Sequence, residues 1–466
     1  HLGENNLEEK VETSSNQNIN QNKIDFEYKT EPKEQDTLSL KEEPKEYNID
    51  EREDLSSFKS FKEALEENET KDENGISHFI EHMFFKGTDK RNAKEIVQEI
   101  ENIGGQINAY TSKETTCYYI KALNTHMDLC LDVISDMLLN SKFDEEEIKK
   151  EQGVVIEEIN MSQDSPEDVL DEIHSEAIFG NNSLAYPILG TADKIKSFNR
   201  KKIKDYIKTH YTPYNSVLSI CGKFDEKELK KLIEEYFGKW SKDNVYNPTY
   251  ESVILNSDSK YCEKQIEQVH INLGLNGLPY ADDKAYSLVL LNNIFGGGAS
   301  SILFQKVREE LGLCYSIYSY MQPYLGVGTM NIYTGLSNKY ADKAISVINE
   351  QLQKFAKEGI SDELLEINKE KIKANYILGL ESTSSRMFAN AKCVLLQNKI
   401  KTQEDVINRI NKIDKHDISY VLERCFKPGI ISTAFVGQGV ETDKLNSILE
   451  NSKVAYKNSI DKKFLL

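Results

Sequence analysis

The chain has 466 residues, 39% of them hydrophobic, with 24 tyrosines, 18 phenylalanines and a formal net charge of −19, the composition of a globular protein long enough for more than one core. So acidic a chain lacks the basic face that nucleic-acid binding requires, and no run reaches the ~18 apolar residues of a membrane span. Its seven cysteines are scattered, odd in number and form no C-x-x-C pair, which argues against a disulfide framework or a cysteine zinc knuckle and points to a reducing, cytoplasmic setting.

Residues 1–70 hold 9 Lys/Arg against 20 Asp/Glu, a net of −11. Stretches such as "SSNQNINQNK" and "KEEPKEYNIDERED" offer too few apolar side chains to offset the entropy of ordering them. This segment reads as acidic, low in complexity, and disordered or loosely attached. Weak strand candidates are "IDFEYK" (24–29) and "TLSL" (37–40); Phe58, Phe61 and Leu65 would share a face were 56–67 a short helix, though a solvated tail is the preferred reading. The opening "HLGENNLEEK" shows no basic or apolar leader region, so no secretory signal is expected there.

From Gly75 the pattern changes. "ISHFIEHMFF" has helical spacing, and "AKEIVQEIENIGGQINAYTSKETTCYYIK" reads as a helix, a Gly-Gly turn and two strands. "HMDLCLDVISDMLLNSKFDEEEIKKEQGVVIEEINMSQD" reads as two amphipathic helices broken at "NSKFD", with Asp144 as N-cap and Glu147 three residues on. "PYNSVLSICGKFD" reads as a strand closing the unit. Residues 237–255, polar and carrying a proline, read as a linker. The expected organisation is therefore an N-terminal segment 1–70, a unit over 71–236, the linker 237–255 and a second unit over 256–466.

The second unit repeats the order of the first. "REELGLCYSIYSYMQPYLGVGTMNIYTGLSNKYADKAISVINEQLQKFAKEGISDELLEINKE" again runs from a helix end through a glycine turn, strands and a helix, and "SDEL" opens the last helix as "FDEE" does in the first copy. Strands followed by paired helices predict an α+β fold of two homologous domains, each a largely antiparallel sheet covered by helices on one side. Aligning Phe85 with Phe295 places His78, Glu81 and His82 opposite Leu288, Leu291 and Asn292, so the second copy lacks the polar cluster of the first.

That cluster, in "ENGISHFIEHMFFKGT" (73–88), uses two of the chain's eight histidines within five positions. On a helix His78, Glu81 and His82 stand at i, i+3 and i+4 and share a face. Two imidazoles one turn apart can hold one Zn²⁺ at ~2.0–2.1 Å each, and Glu81 beside them can reach a water on the metal. The order is the inverse of the usual H-E-x-x-H zinc helix. A catalytic zinc needs a third protein ligand and an open position. "KKEQGVVIEEINM" offers Glu158, with Glu151 two turns earlier on the same face as an accessory carboxylate that orients a ligand histidine. Glu157 is the rival third ligand, but it points about 100° away on the same helix.

"GISHFIEHMFFKGT" together with "EQGVVIEEINM" resembles the pitrilysin/insulysin and mitochondrial processing peptidase family of inverted-motif zinc peptidases. The 76 residues from His82 to Glu158 match that family's spacing, and "GGQINAYTSKETTCYY", "AYPILGT", "YTPYNSVLSICGKFD" and "FGGGASSILFQKVREELGLCYSI" extend the likeness from Gly75 to about Gly437. The resemblance implies that His78, His82 and Glu158 hold one zinc per chain, that Glu81 is the general base, and that Glu151 is the accessory glutamate. It implies that Asn108 and Ala109 lie on an edge strand that pairs with substrate backbone, and that Arg308 and Tyr315 contact substrate from the second half. "FGGGAS" (295–300) lacks both G-x-G-x-x-G and a trailing Lys-Ser/Thr, so a nucleotide site is not expected; in the family such a loop lies near the substrate path.

The likeness departs from the family upstream of Gly75, where "ENETKDENG" resembles only the tail of the usual lead-in and no apolar strand pair precedes it. Either the acidic segment supplies divergent strands or the first sheet is short. The expected function is a zinc metalloendopeptidase acting on extended or unfolded peptides, working as a homodimer or as a heterodimer with a related subunit. The alternative is a non-catalytic or impaired relative that serves as a peptide-binding or structural partner.

Overall fold

The computed structural model describes residues 69–240 and 253–450, all within one compact unit. The strand candidates at 24–29 and 37–40, the helix at 56–67 and most of the linker lie outside these residues. The first half supplies α1 (Ile76–Phe84), α2 (Ala93–Glu101), β1 (Gln106–Thr111), β2 (Thr116–Lys121), α3 (Met127–Asn140), α4 (Glu145–Asp164), α5 (Pro166–Phe179), α6 (Ala192–Ser197), α7 (Arg200–His210) and α8 (Glu226–Phe237). The second supplies β3 (Ser259–Glu263), β4 (Gln268–Asn276), α9 (Ala285–Phe295), β5 (Ser316–Pro323), β6 (Gly328–Ser337), α10 (Ala341–Glu358), α11 (Asp362–Gly379), α12 (Thr383–Gln397), α13 (Gln403–Asn411), α14 (Lys415–Val421) and β7 (Ser432–Gly437). The internal repeat is visible as α1, β1, β2, α3 and α4 recurring as α9, β5, β6, α10 and α11.

The second sheet has five strands in the order β3-β7-β4-β6-β5, antiparallel throughout except for the parallel pair β3–β7. One face packs on α9, α10, α11, α13 and α14 around Phe295, Phe355 and Phe426. The other face is covered from the first half: Val169 and Leu170 of α5 meet Tyr333, Ala434 and Val436. Every residue of β7 is therefore buried, as a central strand covered on both faces requires.

Among the described residues the first half has only the two-stranded sheet β1–β2. The strand expected in "PYNSVLSICGKFD" is not formed. After a short turn at Pro213–Asn215 the chain runs without regular structure, and Leu218 is 44% exposed. The physical reason is visible in the repeat. Its counterpart β7 is held between β3 and β4, which precede α9, and no described strand precedes α1 in the same way. A lone strand has no ladder partner for its backbone N–H and C=O groups.

Alpha-1 is fixed by an apolar stripe. Ile76, Phe79, Ile80, Met83 and Phe84 recur at i, i+3, i+4, i+7 and i+8 and are all fully buried, each worth roughly 1.5–3 kcal/mol of burial. Phe79 tilts against Phe198 at 5.6 Å between ring centroids, and Phe84 meets Tyr118, Phe143 and Tyr211 edge-on. The chain enters the helix through Gly75 at φ 87°, where a Cβ would stand 2.7 Å from the Cα of Gly190. Only glycine permits that conformation and that approach together. Alpha-4 opens at Asp144, which accepts from the Glu146 N–H at 2.9 Å, so the cap forms without the reciprocal bond expected from Glu147. It packs against α1 through a face on which Ile148, Glu151 and Val155 are buried.

Candidate metal centre

The meeting of α1 and α4 brings His78, His82 and Glu158 to one place: one ligand atom from each lies within 4.8 Å of the other two. Nε2 of His78 is 3.7 Å and Nε2 of His82 is 3.5 Å from Oε2 of Glu158. The two imidazoles stand edge to face, 4.6 Å between centroids. Donors at ~2.0–2.1 Å on the corners of a tetrahedron are about 3.3–3.4 Å apart, so the three groups need little movement to share one ion. Glu157, the rival, is exposed.

Electrostatics suits the same use. Burial, with a smaller contribution from the neighbouring His82, lowers His78 to about 4, which leaves its ring neutral and able to ligate. Its Nδ1 is buried without a hydrogen-bond partner. For His82, burial pulls the pKa down, but the hydrogen bond it donates to Glu151 and the charges of Glu151, Glu158 and Glu81 outweigh it and raise it. Three carboxylates around two imidazoles form a site that attracts a cation. The donor set of two imidazoles and one carboxylate is a zinc set.

Glu151 is 3% exposed. Its Oε1 is 2.8 Å from Nδ1 of His82 and its Oε2 is 2.6 Å from Nζ of Lys86. Burial would raise this carboxyl, but the hydrogen bonds from His82 and Lys86 and the lysine charge bring it below the ordinary value. Glu81 stands beside the histidines and accepts from the hydroxyl of Thr111, the last residue of β1, at 2.5 Å. Burial raises the Glu81 carboxyl, opposed by Thr111 and His82, the direction that suits a general base. The acid cap of α1 comes from outside the helix: Glu69 accepts from the N–H of Gly75 at 2.8 Å and of Ser77 at 2.9 Å.

Asn108 and Ala109 lie on β1 opposite Tyr119 and Tyr118 of β2. No described strand pairs with the other edge of β1, and the N–H of Ala109 is taken by the side-chain oxygen of Asn108 at 2.8 Å. Arg308 and Tyr315 also meet. The guanidinium lies 5.2 Å from the Tyr315 ring and 4.5 Å from Phe304, and with Gly296–Gly298 and Ser316–Ser319 they line a cavity of about 490 Å³. That cavity shares no lining residue with the histidine cluster. Sequence reasoning missed Lys86, Thr111 and Glu69. Lys86 follows His82 by four residues, a spacing that marks a shared face; Thr111 and Glu69 carry no comparable signal.

Comparison with known proteins agrees with this architecture. Residues 66–192 match the family described as insulinase (peptidase family M16), and residues 197–372 match the peptidase M16 inactive domain. A protein of Bacillus subtilis named uncharacterized zinc protease YmxG is 41% identical over 361 residues, 77% of this chain and 87% of its own. An uncharacterized zinc protease of Rickettsia bellii is 34% identical over 77% of this chain and 87% of its own. Among solved structures, a protease from Helicobacter pylori superposes with a TM-score of 0.73 at 22% identity, covering 80% of this chain and 92% of its own. A peptidase M16 inactive domain from Pseudomonas fluorescens gives 0.72 at 14% identity, covering 81% and 92%; both show the shared fold. The chain belongs to peptidase family M16, the insulinase family.

Proposed function

We propose that this protein is a zinc-dependent endopeptidase that hydrolyses extended or unfolded peptides. The observation that carries the proposal is the convergence of His78, His82 and Glu158 with Glu81 alongside. His78, His82 and Glu158 would hold the ion. When bound, zinc supplies Lewis acidity toward the scissile carbonyl and the attacking water.

The chain's own residues do the rest. The open edge of β1 at Asn108 and Ala109 pairs with the peptide backbone, and Asn108 releases the Ala109 N–H to a substrate carbonyl. Glu81, held on one oxygen by Thr111, takes the proton of the attacking water on the other and returns it to the departing amine nitrogen. Arg308 and Tyr315 contact the peptide from the second half, so one extended strand is gripped by both. A second related chain, identical or not, completes the enclosure.

A second reading is a peptide-holding or structural partner without turnover. The sheet of the first half, two-stranded among the described residues, favours it, because a site depends on the rigidity of what supports it. Cleavage of an unstructured peptide library, measured with and without chelator and against Glu81→Gln, separates the two. The enzyme reading expects chelator-sensitive cleavage by the wild type and none by a Glu81→Gln protein that still carries zinc. Peptide binding with equal, background cleavage by both proteins supports the partner reading.

A further inference from the structure

We propose that Lys86 is a positioning residue for the metal centre: it fixes Glu151 in the pose from which that carboxylate aims the ring of His82. The inference rests on the zinc reading of the site and adds a residue to it.

Lys86 lies just past the end of α1, its N–H bonded to the carbonyl of Met83 at 3.1 Å. It stands four positions after His82, and both side chains reach the same carboxylate. Glu151 of α4 sits between them, and each of its oxygens has one partner: Nδ1 of His82 on α1 at 2.8 Å and Nζ of Lys86 just beyond it at 2.6 Å. Lys86 is the one Lys or Arg paired with Glu151 among the described residues. A carboxylate 3% exposed needs such a partner, because an unpaired charge there is costly and the side chain would turn away to find solvent.

The consequence reaches the metal through geometry. With Glu151 clamped at both oxygens, Nδ1–H of His82 donates to it, and Nε2 is left facing Oε2 of Glu158 at 3.5 Å. Partners of this kind hold ligand rings in place, and their loss lowers metal affinity about 10–100-fold. Without Lys86 the second oxygen of Glu151 is free, the carboxylate can rotate, and His82 loses its orientation although no ligand has been touched. Lys86 also sits at the C-terminal end of α1, where a cation favours the helix dipole. That bland role affects stability alone and predicts no change in zinc affinity for a folded variant.

The test is competitive titration of zinc against a chromophoric chelator, with melting curves recorded in excess EDTA to establish that each variant is folded. Lys86→Met, and Lys86→Gln as a second truncation in case the first fails to fold, should weaken zinc binding about 10–100-fold. Lys86→Arg, which keeps the charge, should recover most of the affinity. Because both residues act through one contact, the double variant Lys86→Met/Glu151→Gln should bind zinc about as weakly as Glu151→Gln alone. Wild-type affinity in the truncated variants, or full additivity in the double variant, overturns the role of Lys86 and leaves the metal centre standing. A wild-type protein that binds no zinc, or a Glu158→Gln protein that binds it as tightly, overturns the centre and this inference with it.

Discussion

Replacing Glu69 by alanine should loosen the helix that carries both histidines. The N-cap of α1 is Gly75, which has no side chain to offer, and the first turn contains no acidic residue. Glu69, six residues upstream, accepts from the N–H groups of Gly75 and Ser77 and more weakly from the amide of Asn74 at 3.4 Å. Each donor left buried without a partner costs about 1–3 kcal/mol. Burial raises the Glu69 carboxyl, opposed by the hydrogen bonds from Ser77, Gly75 and Asn74, so part of the bonding energy already offsets desolvation. The lower part of the range follows, about 2–4 kcal/mol for Glu69→Ala, and roughly half for Glu69→Gln, which keeps one acceptor oxygen. In hydrogen exchange that loss corresponds to roughly 30–1000-fold faster opening of the first turn of α1, with weaker zinc binding as a second consequence. Exchange of the α1 amides at the wild-type rate in Glu69→Ala would refute the reasoning.

His174 is fully buried behind the second sheet, near Ser432 at 3.2 Å, and burial lowers its pKa to about 4. The unfolded chain therefore binds a proton between pH ~6.5 and ~4 that the folded chain does not, so stability falls as pH falls through that window, by roughly 3 kcal/mol in all. Urea unfolding across that window should show a His174→Gln protein with a pH slope smaller by one proton, and an unchanged slope would contradict the assignment. Gly153 lies exposed in the middle of α4, and a Cβ there would meet no atom within 4 Å. Gly153→Ala should stabilise the protein by about 0.8–1 kcal/mol in the same experiment, without change in zinc affinity; destabilisation would show that the position is under a constraint that the packing does not reveal.

Much of the site was legible because it is written in helical spacing. His78, Glu81 and His82 fall on one face of α1, and Glu151 and Glu158 on one face of α4, by the geometry of 3.6 residues per turn alone. Glu158 rather than Glu157 followed from the same arithmetic. The alternation of strands and helix pairs announced the repeat and the α+β layers. What escaped was tertiary. The contact of Thr111 with Glu81 joins a strand end to a helix thirty residues earlier, and the cap from Glu69 lies beyond the window in which caps are sought. "SVLSIC" (216–221) has the alternation of a strand, yet a strand exists only with a neighbour, and whether one is present is not written in the segment itself. The cover that α5 gives the second sheet was likewise invisible, since an amphipathic helix shows that it has a buried face but not which sheet it will meet.

The central claim, that positions 78, 82 and 158 hold one ion between them, is tested most directly by zinc titration with X-ray absorption at the zinc edge. The account predicts one zinc per chain in a shell of nitrogen and oxygen donors at ~2.0–2.1 Å, lost in His78→Ala, His82→Ala and Glu158→Gln and retained in Glu81→Gln. Zinc bound with equal strength after Glu158→Gln, or no zinc bound by the wild type, would contradict it.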